Sequence, residues 1–176
     1  AVGCYVNASK DEIADMDFVD LVIGNNCKKD IVEILQQYFT KSNPVQSYID
    51  INCTNEYEEM QLKKTGEHTR AYIKIQDGCN QFCSYCIIPY ARGRIRYRAM
   101  EEILKEVREL TANGYQEIVL TGIHLSSYGM EKGNDFTKSR LGELIRAVNA
   151  VEGVRRIRLG SLEPRIITEE FAKELS

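Results

Sequence analysis

The chain has 176 residues, 43% of them hydrophobic, which is enough for one ordinary domain or parts of two. A formal net charge of -3 excludes a globally basic protein, so any nucleic-acid surface must be local. No apolar run approaches a membrane span, and the opening AVGCYVN lacks the charged-then-apolar order of a secretory signal.

That opening reads as the end of a strand at Val2-Gly3-Cys4, and without an initiator Met we expect a piece of a longer chain. Ser9 and Glu12 have capping-box spacing ahead of a short helix from about Lys10 to Met16. Leu21–Gly24 is a short buried strand. Asn26 is placed to cap a helix whose apolar stripe is Ile31, Ile34, Leu35 and Tyr38, and the Lys28-Lys29 pair reads as its solvated face. This β-α-β-α order favours a parallel sheet. Between Lys41 and Arg70 the pattern weakens: Asn43-Pro44 breaks it, a strand over Val45–Ile51 is predicted, and charged residues follow.

Three βα units come next. Their strands are predicted at Ala71–Gln76, Glu117–Thr121 and Val154–Leu159. The first helix runs about Met100–Ala112, with Ile103, Leu104, Val107 and Leu110 inward, and Asn113-Gly114 suits its end. The second runs about Ser139–Ala150, with Leu141, Leu144, Ile145 and Val148 inward, and a third begins near Thr168. Two strands alternate: Tyr72, Lys74 and Gln76 oppose Ala71, Ile73 and Ile75, and Arg156 and Arg158 oppose Ile157 and Leu159. One face of the sheet is therefore polar, either as the lumen of a barrel or as a solvated face.

The loop after the first of these strands reads Gly78-Cys79-Asn80-Gln81-Phe82-Cys83-Ser84-Tyr85-Cys86. Three of the six cysteines crowd into it, which in a chain without a secretory signal favours metal chemistry over disulfides. Thiolates suit iron–sulfur clusters, zinc or Cu(I). Structural zinc wants four ligands, and no cysteine follows Cys86, so zinc would need His68 or His124. A cubane cluster needs only three cysteines and keeps its fourth iron open. The amino and carboxylate groups of S-adenosylmethionine (SAM) can chelate that iron, and an electron passed to the sulfonium then yields a 5′-deoxyadenosyl radical.

The spacing Cys-x-x-x-Cys-x-aromatic-Cys, with Tyr85 as the aromatic, is similar to the radical SAM signature. GCNQFCSYCIIPYARGRIR further resembles the methylthiotransferases, which insert sulfur and a methyl group at an unreactive C–H bond. LTGIHLSSYG at Leu120–Gly129 and SLEP at Ser161–Pro164 resemble the subgroup that modifies N6-threonylcarbamoyladenosine beside the anticodon of tRNA.

The resemblance implies an α/β fold. The C-terminal part of a flavodoxin-like parallel-sheet domain (1–45) would be joined by a linker (46–69) to the first three βα units of a partial TIM-like radical SAM barrel (70–176). It implies a 4Fe–4S cluster on Cys79, Cys83 and Cys86 that binds SAM. It matches Cys4, in VGCYVN, to one of three ligands of a second 4Fe–4S cluster in the full-length enzyme, and gives Cys27 and Cys53 no role. Position alone leaves Cys4 and Cys27 equal, since both follow a strand and precede a helix. The partners implied are the tRNA anticodon stem-loop and an electron donor such as flavodoxin or ferredoxin, in the cytoplasm with no membrane contact. With half the barrel and two auxiliary ligands absent, this stretch alone is expected not to complete turnover. Rival expectations are a methylthiotransferase acting on another tRNA adenosine or a ribosomal protein, and a non-catalytic metal-binding module that binds nucleic acid.

Tyr85, Thr121, Gly122, Ser161 and Glu163 are candidate SAM contacts, the last four because they sit where barrel active sites lie, at the C-terminal ends of strands. The alternative at those four is turn structure. Arg92, Arg94, Arg96 and Arg98 alternate, and an extended segment would put all four on one side. Helped by the resemblance, they are expected to contact RNA phosphates. The alternative is salt bridging to Glu101, Glu102 and Glu106, or a solvated face. His124 is expected to be a satisfied structural histidine.

Overall fold

The structure, a computed structural model, describes residues 1–41, 45–51, 53–54, 56–58, 69–130 and 138–175. Asn43-Pro44 and His68 lie outside the described residues. The chain divides into two compact units: Ala1–Met60 with Gly78–Arg94, and Gln61–Asp77 with Ile95–Ser176.

In the first unit, β1 (Leu21–Ile23) and β2 (Val45–Ser47) pair in parallel, with Leu21 opposite Val45 and Ile23 opposite Ser47. Val2 bridges Ile23 in parallel, and the Gly3 N–H donates to the Ile23 carbonyl at 3.0 Å. Gly3, at φ 97°, then turns the chain into α1 (Cys4–Ala8), which is followed by α2 (Lys10–Ala14). Val6, Ile13 and Val22 form the small core beneath them.

The predicted capping box does not form. Ser9 closes α1 through its own N–H to the Tyr5 carbonyl and makes no side-chain bond into α2. Asn26 is not a cap either. It sits at φ 67°, its N–H goes to Glu58 Oε2 and its side-chain amide to the Glu56 carbonyl. Glu58 caps the turn Lys28–Asp30 instead, accepting from the N–H groups of Lys28 (2.6 Å) and Lys29 (3.2 Å). Lys28 is therefore not a solvated charge: its Nζ lies 3.1 Å from Glu58 Oε2. In α3 (Ile31–Lys41) the buried stripe is narrower than predicted, with Ile34 inside and Leu35 exposed.

In the second unit, β3 (Arg70–Lys74), β6 (Glu117–Thr121) and β7 (Arg156–Leu159) form a parallel sheet with β6 central. Arg70 stands opposite Glu117 and Glu117 opposite Arg156. Helices α5 (Met100–Ala112) and α6 (Leu141–Asn149) supply Ile103, Val107, Leu110, Leu141, Leu144 and Val148 to one core with Ala71, Ile73, Ile75, Ile118 and Leu120. The final helix, α7 (Glu169–Leu175), starts on Thr168, whose Oγ1 accepts the Phe171 N–H at 3.1 Å.

The strand predicted over Ala71–Gln76 is two strands. The Ile75 N–H continues the parallel ladder to the Thr121 carbonyl, while its carbonyl accepts from Arg98 N–H. Beyond it, β4 (Gln76–Asp77) pairs antiparallel with β5 (Arg96–Tyr97). Gln76, expected on the polar face, is fully buried. The rest of the expected alternation is present. Ala71, Ile73 and Ile75 are buried while Tyr72 is exposed, and the Glu117 carboxylate on the polar face pairs with Arg70 (3.9 Å), Arg156 (3.5 Å) and Arg158.

Leu144 has no exposed surface, and truncating such a side chain loses transfer energy and leaves a cavity. Leu144→Ala should destabilise the second unit by about 2–5 kcal/mol in chemical denaturation, whereas Tyr72→Ala should change stability far less.

Candidate metal centre

The three-cysteine loop is closed by backbone contacts. Gly78 has φ +72°, and a Cβ there would lie 1.9 Å from the Arg94 carbonyl oxygen. The Cys79 N–H donates to the Gly93 carbonyl at 3.0 Å, and the Cys86 N–H to the Cys83 carbonyl at 2.9 Å. Phe82 takes φ 49°, unusual for a side chain of that size, so the loop is held in a conformation that costs free energy locally. Helix α4 (Ile88–Ala91), with Pro89 in its first turn, follows.

Cys79 is buried, Cys86 half-buried and Cys83 exposed, and all six cysteines of the chain are free thiols. Burial pushes the Cys79 thiol up, the negative charge of Cys86 and Cys83 adds to that, and the Gln81 N–H, 3.5 Å from its sulfur, works against it. The three sulfurs thus feel one another. Among the described residues no three His, Cys, Asp or Glu side chains converge on a point that would hold one metal ion. Three soft donors spread along one loop fit a group that offers each sulfur its own metal corner.

Cys4 lies at the start of α1, and two donors reach its sulfur. Arg92 Nε stands 2.9 Å away and Asn25 Nδ2 3.7 Å away. Cys27 is packed with Ile23 and Ile34, and the exposed Cys53 donates to Asp50 Oδ2, which raises its pKa.

The four alternating arginines do not act as one face. Arg96 and Arg98 are buried. Arg96 Nη2 is 3.7 Å from Asp77 Oδ2, which also takes Lys74 Nζ at 2.6 Å, and Arg98 Nη1 is 2.5 Å from Glu106 Oε2. Antiparallel pairing turns this stretch back on β4, so these two guanidiniums are interior ion pairs and the expectation of RNA contact fails for them. Arg94 is exposed and lies over the Phe82 ring, 4.4 Å from its centroid, and Phe82 meets Tyr90 edge-on. Tyr85 is 90% exposed.

At the strand ends of the second unit, Thr121 donates its hydroxyl to the Ile73 carbonyl at 3.2 Å. A Cβ on Gly122 would stand 3.0 Å from both Gln76 O and Gln76 Oε1, a tight fit that Gln76 would have to yield to. Gln76 Oε1 accepts the His124 N–H at 2.8 Å. His124 is buried with Nδ1 2.6 Å from Ser127 Oγ. Burial holds its pKa below the usual histidine value, while Glu163 raises it and Arg165 lowers it. Ser161 is exposed, and its carbonyl accepts from Leu125 N–H. Glu163 caps the turn Pro164–Ile166, accepting from Arg165 N and Nε, while its own N–H donates to Ser126 Oγ at 3.0 Å.

Residues 73–176 match the family model of the Radical SAM superfamily. This chain belongs to that superfamily. The radical SAM chain is 40% identical over 98% of its length to the Bacillus subtilis threonylcarbamoyladenosine tRNA methylthiotransferase MtaB, of which it covers 38%. It is 32% identical over its full length to the Clostridium acetobutylicum ribosomal protein uS12 methylthiotransferase RimO, of which it covers 39%. It is 36% identical over 88% of its length to the Thermoanaerobacter tRNA-2-methylthio-N(6)-dimethylallyladenosine synthase, covering 32% of that protein. The radical SAM chain thus spans about two fifths or less of the relatives it matches.

Sequence reasoning missed Gln76, which joins Gly122 and His124, and the fully buried Ser126 and Ser127. The alternation of β3 pointed Gln76 the wrong way. Ser126 carries no local signal because its partner is Glu163, 37 residues away, whereas Ser127 bonds His124 only three residues before it.

Breaking a buried pair leaves the remaining charge uncompensated. Glu106→Ala should therefore cost about 3–5 kcal/mol in denaturant unfolding, and Arg94→Ala, at an exposed site, should stay within about 1 kcal/mol.

Proposed function

We propose that this chain is the cluster-bearing portion of a methylthiotransferase that adds a methylthio group to C2 of N6-threonylcarbamoyladenosine next to the anticodon of tRNA. What supports this most is the Cys79, Cys83 and Cys86 set, on one backbone-closed loop, in a chain 40% identical to a methylthiotransferase named for that nucleoside. In this proposal residues 1–45 belong to a flavodoxin-like domain, 46–69 connect, and 70–176 open a partial TIM-like barrel.

Cys79, Cys83 and Cys86 would hold the SAM-binding 4Fe–4S cluster, and Cys4 one corner of a second. When bound, these groups supply a carbon radical able to take hydrogen from an unreactive C–H bond, and a sulfur source. The chain's own residues do the positioning. Tyr85 presents an open aromatic surface to SAM. Thr121 and Gly122 offer backbone at a strand end, where Gly122 packs tightly on Gln76. Ser161 and Glu163 border the next strand end. Burial lowers the pKa of His124 beside them, against the opposing pull of Glu163. Arg94, on its Phe82 platform, is the arginine suited to an RNA phosphate or base. An electron donor such as flavodoxin or ferredoxin completes the system, in the cytoplasm. No helix among the described residues is long and apolar enough to cross a membrane.

In the full-length enzyme, anaerobically loaded with iron and sulfide, Cys79→Ala, Cys83→Ala or Cys86→Ala should each abolish 5′-deoxyadenosine formation from SAM. Cys4→Ala should lose about half the bound iron and all methylthiolation while SAM cleavage survives, and Cys27→Ala should keep both clusters. Full deoxyadenosine production in any of the first three would overturn the ligand set. Modification of ribosomal protein uS12 but not of tRNA would move the substrate to the protein class.

Arg94→Ala should weaken tRNA binding and flatten its salt dependence by roughly one log unit per lost phosphate contact. An unchanged affinity and slope would remove Arg94 from the RNA surface.

A further inference from the structure

We propose that Arg92 is a positioning residue for Cys4, holding its sulfur by a charged hydrogen bond and setting the electron affinity of whatever cluster that sulfur ligates. This rests on Cys4 being a cluster ligand, as proposed above. Arg92 was expected at an RNA phosphate, but its Nε donates to Cys4 Sγ at 2.9 Å, across 88 residues of sequence. The Arg92 N–H donates to the Ile88 carbonyl at 2.7 Å, so α4 fixes its backbone.

Asn25 ties the same elements together. Its Nδ2 donates to the Ala91 carbonyl at 2.7 Å and reaches Cys4 Sγ at 3.7 Å. Its N–H donates to Asn7 Oδ1 at 2.6 Å, and its Oδ1 accepts from Lys28 Nζ at 3.1 Å. The end of α4, the loop after β1 and helix α1 therefore meet around one sulfur. A negatively charged sulfur ligand is stabilised by an adjacent cationic donor, and N–H donors to ligand sulfurs raise a cluster's reduction potential. Cys27 and Cys53 sit differently, the first among isoleucine side chains and the second against a carboxylate. Position in the sequence does not separate Cys4 from Cys27; their surroundings differ, with a cationic donor on the Cys4 sulfur and apolar side chains around Cys27.

The test uses the full-length enzyme with both clusters loaded, comparing Arg92→Gln and Arg92→Lys by iron content and EPR-monitored redox titration. Arg92→Gln should leave the cluster on the Cys79 loop unchanged and shift the midpoint potential of the Cys4 cluster to more negative values. Arg92→Lys, which keeps the charge but not the fork geometry, should recover part of that shift. Selective loss of the Cys4 cluster in Arg92→Gln, with the other cluster retained, would be the same effect in stronger form. An unchanged potential and spectrum, or loss of both clusters in both variants, would overturn the assignment. So would weakened tRNA binding at unchanged potential, which would return Arg92 to the phosphate role. Cys4→Ala is read separately: if it keeps the iron of both clusters, the ligand assignment itself has failed, whatever Arg92 does.

Discussion

A Cβ at position 78 would stand 1.9 Å from the Arg94 carbonyl oxygen, so the segment carrying the three cysteines can close on itself only where the chain has no side chain. Gly93 repeats the constraint one residue before that carbonyl's own residue, since its added Cβ would lie 2.3 Å from the Ile51 carbonyl oxygen. Between these two glycines the Cys79 N–H takes the Gly93 carbonyl. The loop is thus fixed by backbone contacts at its base, which leaves the side chains of Cys83, Tyr85 and Tyr90 outward and available. Of the three sulfurs, that of Cys79 takes a loop contact, its Sγ lying 3.5 Å from the Gln81 N–H.

Arginine placement follows a second rule, that buried charge must be paired. Arg96 and Arg98 come back along β5 into the interior and are matched by Asp77 and Glu106. Asp77 also holds Lys74, so one carboxylate faces two cations. Arg94, outside that strand, stacks on Phe82 and stays in solvent. Four arginines that look equivalent in an alternating string are therefore divided by a change of backbone partner into interior ion pairs, a sulfur contact and an exposed cation.

This division marks what the sequence could carry. Helix Met100–Ala112 and strand Glu117–Thr121 were legible to the residue, because a helical period runs through the first, a short apolar run marks the second, and Gly114, at φ +92°, ends the helix region as expected. The strand at Ala71–Gln76 was not, because the switch at Ile75 from a parallel to an antiparallel partner leaves no trace in an alternation pattern. Asn26 has the right chemistry for a cap, but Glu58 caps the turn Lys28–Asp30 from 30 residues away, and Ser9 makes no side-chain bond into α2. The cysteine motif was legible because its members are sequence neighbours. Arg92 on Cys4 was not, being 88 residues distant.

The strand ends of the second unit show why turn structure and a binding role need not compete at Gly122. Gln76 is fully buried, and burying an amide is costly unless both its ends are bonded. Its Nε2 donates to the Asp77 carbonyl and its Oε1 takes the His124 N–H, which pins the chain after β6 to the end of β3. That pinning brings Gly122 within contact distance of Gln76, where a Cβ would sit tightly at 3.0 Å. The same closeness leaves the Gly122 backbone uncovered by a side chain of its own, which is the condition under which a peptide group can be approached by a ligand. The residue that fixes the turn is therefore also the one that exposes its backbone, and the packing requirement and the proposed SAM contact rest on a single missing Cβ.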